Sequence, residues 1–188
     1  MNNIIDQIAP PSSPNSNRGI HLSASDSAVV SCNIINSTYN TGSAHSYGIR
    51  VETSTYCTVG CNEVYDQYNG FYWGGTCSNS SFYGNEMNDH YVGLHLNQYA
   101  VIGQQPDSGI APYHGNSWLD TTHYLSGYGA VNLNDATLAS LQASLFTTNQ
   151  GTAAHNPKRP LNPGSGPFNG VDNGQWFDEQ LSGIYILR

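Results

Sequence analysis

The stretch Gly19-Ile20-His21-Leu22, followed by Asn33-Ile34-Ile35, sets a pattern that returns three times along the chain. The first string recurs at 48–51, 70–73 and 93–96, and the second at 62–64, 85–87 and 116–118. Successive glycines are 29, 22 and 23 residues apart (19 to 48, 48 to 70, 70 to 93). Apolar residues at alternate positions indicate strands. Each unit therefore predicts a few short strands joined by polar corners, which is typical of one coil of a solenoid.

Stacking of such coils predicts which residues form the core. One coil has too little apolar surface to fold alone, so neighbours must bury their inward side chains against each other at a spacing of about 4.8 Å. The predicted inward columns are Ile20, Ile49, Phe71 and Leu94, and Leu22, Val51, Trp73 and Leu96. Four corner asparagines should stack as a ladder with their amides bonded between layers: Asn33, Asn62, Asn85 and Asn116.

The signature G-I-x-L…N-x-I covers residues 19 to 120 and resembles the right-handed parallel β-helix family. It is most similar to the nitrous-oxide-reductase-accessory-like repeats and to the carbohydrate-binding and sugar-hydrolase-like repeats. The expected fold is an all-β right-handed parallel β-helix (solenoid) of about 4–5 coils, with a short C-terminal helix and an irregular extension. The motif encodes coil geometry, so the resemblance implies a fold and carries no chemistry of its own.

Three regions follow from this pattern. Residues 1–18 are predicted to be the tail of a preceding coil plus a loop rich in Pro, Ser and Asn, and residues 19–125 to be the coils. Residues 126–188 should hold a cap helix over 136–146 and an extended segment rich in Gly and Pro. Because the pattern begins in mid-coil, we expect a fragment of a larger exported bacterial surface protein, in contact with upstream coils or a capping partner.

Composition excludes several classes of protein. The chain has 188 residues, 10% of them charged, with five Lys or Arg and a net charge of −8. Nucleic acid and anionic membranes need more cations than this, and no apolar run is long enough to insert in a membrane. Residues 1–6 lack the features of a signal peptide, and we expect none in this chain. Few charges and abundant Gly and Tyr predict an extracellular or cell-surface location, with the periplasm as the alternative.

Two cysteines fall in register. Cys32 and Cys61 each precede a corner asparagine, so their Cα atoms should lie about 5 Å apart in neighbouring coils. Both a disulfide and a pair of packed free thiols are compatible with this placement. Cys57 and Cys77 are not clearly in register.

The outward side of the first strand carries the main candidate site. Its two columns supply the predicted ligand-binding residues, which are His21, Arg50, Tyr72, His95, Glu52 and Asn97. In polysaccharide lyases that share the resembled fold, this kind of face forms the substrate groove. Lyase chemistry needs a base and an acid, for which Arg50, Tyr72 and His95 are suitable residue types. The alternative is an ordinary solvated strand face, and the acidic net charge would repel a uronate polymer.

A second column contains carboxylates four residues after the corner asparagines. It comprises Asp66, Asp89 and Asp120, with Ser37 at the equivalent earlier position. Stacked carboxylates can bind Ca²⁺ or act as a glycosidase pair, although Asp at a corner also satisfies turn amides. No cofactor is expected, and Ca²⁺ is the one ion this column suggests.

The sequence therefore favours a non-enzymatic surface or secreted β-helix module that binds glycan or is structural. Outward aromatic rings such as Tyr65, Tyr68 and Tyr91 could stack on sugar faces. The alternative function is a polysaccharide lyase or glycoside hydrolase that uses Arg50, Tyr72 and His95, or Asp66 and Asp89. Polysaccharide is the expected partner in either case.

Overall fold

The computed structural model of the chain describes residues 3–7, 17–37, 46–97, 99–104, 116–119, 128–132, 144–145 and 185–186. Within these ranges the chain forms strands and no helix. The strands are β1 (Asn3–Gln7), β2 (Asn17–Ser23), β3 (Val29–Ser31), β4 (Asn33–Ser37), β5 (Ser46–Glu52), β6 (Thr58–Gly60), β7 (Glu63–Gly74), β8 (Ser81–Tyr83), β9 (Glu86–Leu96), β10 (Gly103–Gln104), β11 (Ser117–Leu119), β12 (Tyr128–Asn132), β13 (Ser144–Leu145) and β14 (Tyr185–Ile186).

The strands pair in parallel with their counterparts in the next sequence repeat. The series are β2–β5–β7–β9, β3–β6–β8 and β1–β4–β7–β9–β11. Among the described strands, β14 alone pairs antiparallel, with β12. For the described residues, the prediction of all-β structure with parallel pairing is confirmed.

The predicted inward columns form the core. Ile20, Ile49, Phe71 and Leu94 are consecutive Cα partners, as are Leu22, Val51, Trp73 and Leu96. Phe71, Trp73 and Leu94 are fully buried. Two further columns complete the cluster: Ile5, Ile35, Val64, Met87 and Trp118, and Val30, Val59 and Phe82. Equivalent apolar residues of successive repeats therefore pack against each other, and for this reason the strand pairing follows the sequence period.

The asparagine ladder is also present, and it is one member longer than predicted. The Oδ1 atom of Asn62 accepts from both the main-chain nitrogen (3.1 Å) and the Nδ2 atom (2.9 Å) of Asn33. Asn85 accepts in the same way from Asn62, and Asn116 from Asn85. Asn3 extends the series by donating to Asn33 over 3.0 Å. Asn33, Asn62, Asn85 and Asn116 are buried, so the bonds among them form where water cannot compete.

The repeats turn at residues with positive φ that recur at equivalent positions. Cys32 and Cys61 have φ of 56°, and Gly84, at the same place in the next repeat, has φ of 61°. β7 and β9 bend in the same manner at Asp66 (φ 56°) and Asp89 (φ 48°). A left-handed residue costs about 1 kcal/mol when it is not glycine, and main-chain bonds between repeats offset this cost.

Glycine is required at the repeated position inside β5 and β7. A Cβ on Gly48 would clash with the Val64 side chain and lie 2.6 Å from the Gly70 oxygen. A Cβ on Gly70 would lie 2.8 Å from the Gly93 oxygen. These two glycines therefore allow a close approach of the backbones of neighbouring repeats.

β12 and β13 lie within the predicted C-terminal region, 126–188. β12 pairs with β9 in the same parallel register, so the repeat pairing continues beyond residue 125. Residues 144 and 145 form β13 and pair with β10, so the predicted helix over 136–146 does not extend over them. The remainder of that helix lies outside the described residues.

Replacing Asn62 by Ala should lower the free energy of unfolding by about 1–3 kcal/mol, because the oxygens of Val30 and Gly60 and the main-chain nitrogen of Asn33 lose their partner. Urea unfolding followed by circular dichroism measures this loss. Asn36→Ala is the matched control, since Asn36 donates only to the exposed Asp6. Equal losses for the two variants would contradict a special role for the ladder.

Candidate functional site

The predicted outward column exists in register on the largest sheet. His21, Arg50, Tyr72 and His95 are consecutive Cα partners, and Ser23, Glu52 and Gly74 are partners beside them. We use the name outer strip for the six residues predicted to bind ligand, His21, Glu52, Arg50, Tyr72, His95 and Asn97. All six belong to one connected set of bonds and ring contacts.

Glu52 links two cationic or polar neighbours. Its Oε1 accepts from Arg50 Nη2 at 2.6 Å, and its Oε2 accepts from His21 Nε2 at 2.8 Å. Arg18 Nη1 in turn donates to His21 Nδ1 at 3.0 Å. Burial raises the pKa of Glu52, but the bonds from Arg50 and His21 outweigh it, so the pKa lies below its ordinary value. Glu52 is therefore ionised at neutral pH and holds Arg50 and His21 in place.

Arg50 is held between two aromatic rings. Its guanidinium carbon lies 4.7 Å from the Tyr47 ring centroid and 4.8 Å from the Tyr72 ring centroid. The two rings meet edge to face at 5.1 Å. Only 16% of the Arg50 side chain is exposed. Cation–π contact and the Glu52 bond together compensate the desolvation of the guanidinium.

Tyr72 is more enclosed than an outward position predicts. It is 7% exposed, because Tyr47 and His95 pack on its ring and Asn97 Nδ2 donates to its hydroxyl at 2.6 Å. Burial raises the pKa of Tyr72 above its ordinary value. The alternative of an ordinary solvated strand face therefore does not describe Tyr72. This phenol is a structural member of the outer strip.

His95 is a neutral imidazole at physiological pH. Burial lowers its pKa to about 4. Its Nδ1 lies 2.9 Å from Asn69 Oδ1, so Nδ1 carries the hydrogen. The other nitrogen, Nε2, is buried and has no hydrogen-bond partner in the structure. A general base must reach the proton it removes, and in this conformation Nε2 does not reach the surface.

The predicted carboxylate column is present in part. Asp66 and Asp89 lie at equivalent bends, between the partner pairs Tyr65 with Asn88 and Gln67 with His90. Asp120 lies outside the described residues. In the described part of the chain no three His, Cys, Asp or Glu side chains cluster in a way that could hold a metal ion.

Sequence reasoning missed a second carboxylate pair. Glu63 and Glu86 are direct Cα partners, flanked by Tyr65 and Asn88. Tyr65 donates to Glu63 Oε2 and Asn88 donates to Glu86 Oε1, each over 2.9 Å. Burial, and then the charge of Glu63, raises the pKa of Glu86. The sequence feature that could have revealed this pair is the repeated Asn-Glu at 62–63 and 85–86. It was interpreted only as part of the strand pattern of each coil.

Stacked tyrosines lie further along the same strands. The rings of Tyr68 and Tyr91 are 4.5 Å apart at an interplanar angle of 27°. The pKa of Tyr65 is raised to about 12 by burial and by its bond to Glu63. An aromatic and carboxylate surface thus lies beside the outer strip on β7 and β9.

No family model matches the chain, and the comparisons with curated proteins and with solved structures produce no match either. The described residues include no helix long and apolar enough to cross a membrane.

Glu86→Gln should raise the melting temperature at pH 7 by about 1–2 °C, because the pair then carries a single charge. The pKa of Glu86 in the folded chain lies above its ordinary value of 4.5, so protonation of Glu86 stabilises the fold. This stabilisation is complete below pH 4.5 and is lost as the pH rises. The gain should therefore disappear on acidification below about pH 4.5. Glu52→Gln is the opposite control: its folded pKa is lowered, so the variant should melt lower at pH 7. A Glu86→Gln variant that melts below the wild type at pH 7 would contradict the repulsion.

His95 should make stability fall between pH 6.5 and 4.5. Its folded pKa of about 4 is below the ordinary 6.5, so over this range the unfolded chain binds a proton that the folded chain excludes. The full shift is worth up to about 3 kcal/mol, completed only below pH 4. Melting curves across this range should be flatter for His95→Gln than for wild type. A slope unchanged in His95→Gln would refute the assignment.

Proposed function

We propose that the repeats form a right-handed parallel β-helix and that the chain is a non-enzymatic glycan-binding module of an exported protein. In support of the fold, strands one repeat apart pair in parallel over three series. Like residues stack inside, and a buried asparagine ladder joins the repeats. These are the features that a solenoid of this type requires.

The observation that carries the function is the preorganised outer strip. Glu52 and His21 present polar groups at the surface, with 27% of each side chain exposed. Arg50, Tyr72 and Asn97 hold this end of the strip in one arrangement through the contacts described above. Sugar hydroxyls bind best to carboxylate, imidazole and amide groups that are already fixed, since little side-chain entropy is then lost. Repeat spacing of about 4.8 Å also matches the scale of a sugar ring.

The same contacts favour binding over lyase chemistry. Tyr72 shares its hydroxyl with Asn97, Arg50 is engaged by Glu52, and His95 Nε2 is buried. A lyase would need its acid, its base and its cation open to the uronate. The expected roles of Arg50, Tyr72 and His95 in elimination therefore have little support.

Glycoside hydrolysis is the second candidate, and the Glu63–Glu86 pair is the observation that favours it. Retaining glycosidases use two carboxyl groups about 5–5.5 Å apart, one with a raised pKa as the acid. Glu63 and Glu86 are neighbours across one strand pairing, and the pKa of Glu86 is raised. Asp66 and Asp89, by contrast, lie at backbone bends.

Affinity electrophoresis in gels that contain neutral or uronate polysaccharides tests the binding proposal, with folding checked by circular dichroism. Wild type should be retarded by at least one neutral polysaccharide, and Glu52→Gln should weaken that binding about 10-fold, equivalent to about 1.4 kcal/mol. Asp6→Asn is the matched control, because it makes the same charge change on exposed β1.

Two outcomes would overturn the proposal. Unretarded migration of folded wild type in every gel would leave a purely structural module. Release of oligosaccharides, lost in Glu86→Gln and kept in Glu52→Gln, would establish the hydrolase instead.

A further inference from the structure

Two thiols lie side by side at one corner of neighbouring repeats. Ser31 and Gly60 are Cα partners, and Cys32 and Cys61 follow them directly. The Cys32 nitrogen donates to the Gly60 oxygen at 3.2 Å, so the two corners are joined at this point. Both residues have the same φ of 56°. Equivalent residues in parallel neighbours are about 4.8 Å apart, within the Cα separation that a disulfide spans.

The side chains of Cys32 and Cys61 also interact electrostatically. Burial raises the pKa of the Cys61 thiol, and the Cys32 side chain raises it further through its charge and a hydrogen bond. Both cysteines are exposed and free in the structure. The equivalent residue in the next repeat is Gly84, so no third thiol competes there.

Cys57 and Cys77 differ from this exposed pair in burial and in hydrogen bonding. Cys57 and Cys77 are 1% and 0% exposed. The Cys57 thiol donates to the main-chain oxygen of Ser25, and the Cys77 thiol donates to that of Gly74. The sulfur–oxygen distance is 3.2 Å in both bonds. Burial also raises the pKa of Cys77. Buried thiols react slowly because reagents do not reach them, so these two residues provide an internal reference for the exposed pair.

We propose that Cys32 and Cys61 form a reversible thiol–disulfide pair that covalently joins neighbouring repeats under oxidising conditions. The oxidant is a small-molecule disulfide of the glutathione class. The proposal is independent of glycan binding, since the two cysteines lie outside the outer strip.

The reaction proceeds in two balanced exchanges. The Cys32 thiolate, having lost its proton to solvent, attacks one sulfur of the oxidant, forms a mixed disulfide and releases one glutathione thiolate. The Cys61 thiolate then attacks the Cys32 sulfur, forms the Cys32–Cys61 bond and releases the second glutathione thiolate. The two protons lost by the cysteines are taken up by the two leaving thiolates. The protein loses two electrons, and the oxidant is reduced to two thiols.

The same two exchanges can begin at either cysteine, since both side chains are exposed.

The test uses the whole chain, incubated with glutathione disulfide and then alkylated without denaturant. Before oxidation, alkylation should label the exposed pair and leave Cys57 and Cys77 unlabelled. After oxidation the exposed pair should be unlabelled, the intact mass should fall by two hydrogen atoms, and peptide mapping should find Cys32 linked to Cys61. The oxidised protein should melt roughly 5–10 °C above the reduced protein.

Single variants make the mechanism falsifiable. Cys32→Ser and Cys61→Ser should each stop at a stable glutathione adduct, because the second exchange has no thiol. Persistence of two glutathione adducts on wild type, continued alkylation of both thiols, or a disulfide-linked dimer on a non-reducing gel would each overturn the proposal. A melting temperature that does not rise on oxidation would equally exclude a bridge that stabilises the repeats.

Discussion

Buried amide hydrogen bonds between equivalent asparagines set the alignment on which the other contacts depend. Each Oδ1 in the ladder accepts from both the main chain and the side chain of the asparagine one repeat earlier. A slip of one residue would break both bonds and turn the inward residues outward, because side chains alternate along a strand. Alignment of the repeats therefore comes from directional bonds, while burial of apolar columns supplies the driving force.

This alignment places equivalent residues of successive repeats next to each other. The side chains attract each other at some columns and repel each other at others. On the outer strip it places Arg50 against Tyr72, where cation and ring attract. At another column it places Glu63 against Glu86, where burial and then the like charge of Glu63 raise the pKa of Glu86. At a corner it places Cys32 beside Cys61. Clusters of polar and charged side chains thus arise in the described part of the chain where one repeat position holds such a side chain twice in succession.

Most of the pairing could be predicted from the sequence, since strand alternation and a repeat of 22 to 29 residues are visible in it. The membership of the outer strip was also predictable, because register follows from the repeated glycine. Its burial was not. Tyr47 covers Tyr72 and Arg50 although it precedes Gly48 and stands outside the repeated motif. The Glu63–Glu86 pair was overlooked for the opposite reason, because its residues belong to the motif and were interpreted as strand geometry.

The sequence by itself determined the all-β class, the inward columns, the asparagine ladder and the stacking of the two corner cysteines, because each follows from periodic placement of side chains. Only the tertiary structure decided the protonation and accessibility of the outer groups. His95 is neutral because other repeats bury it, and Asn69, 26 residues away, orients it. Glu52 is ionised because Arg50 and His21 converge on it, the latter from 31 residues away. These properties depend on distances and desolvation among residues far apart in the chain, and no local pattern encodes them.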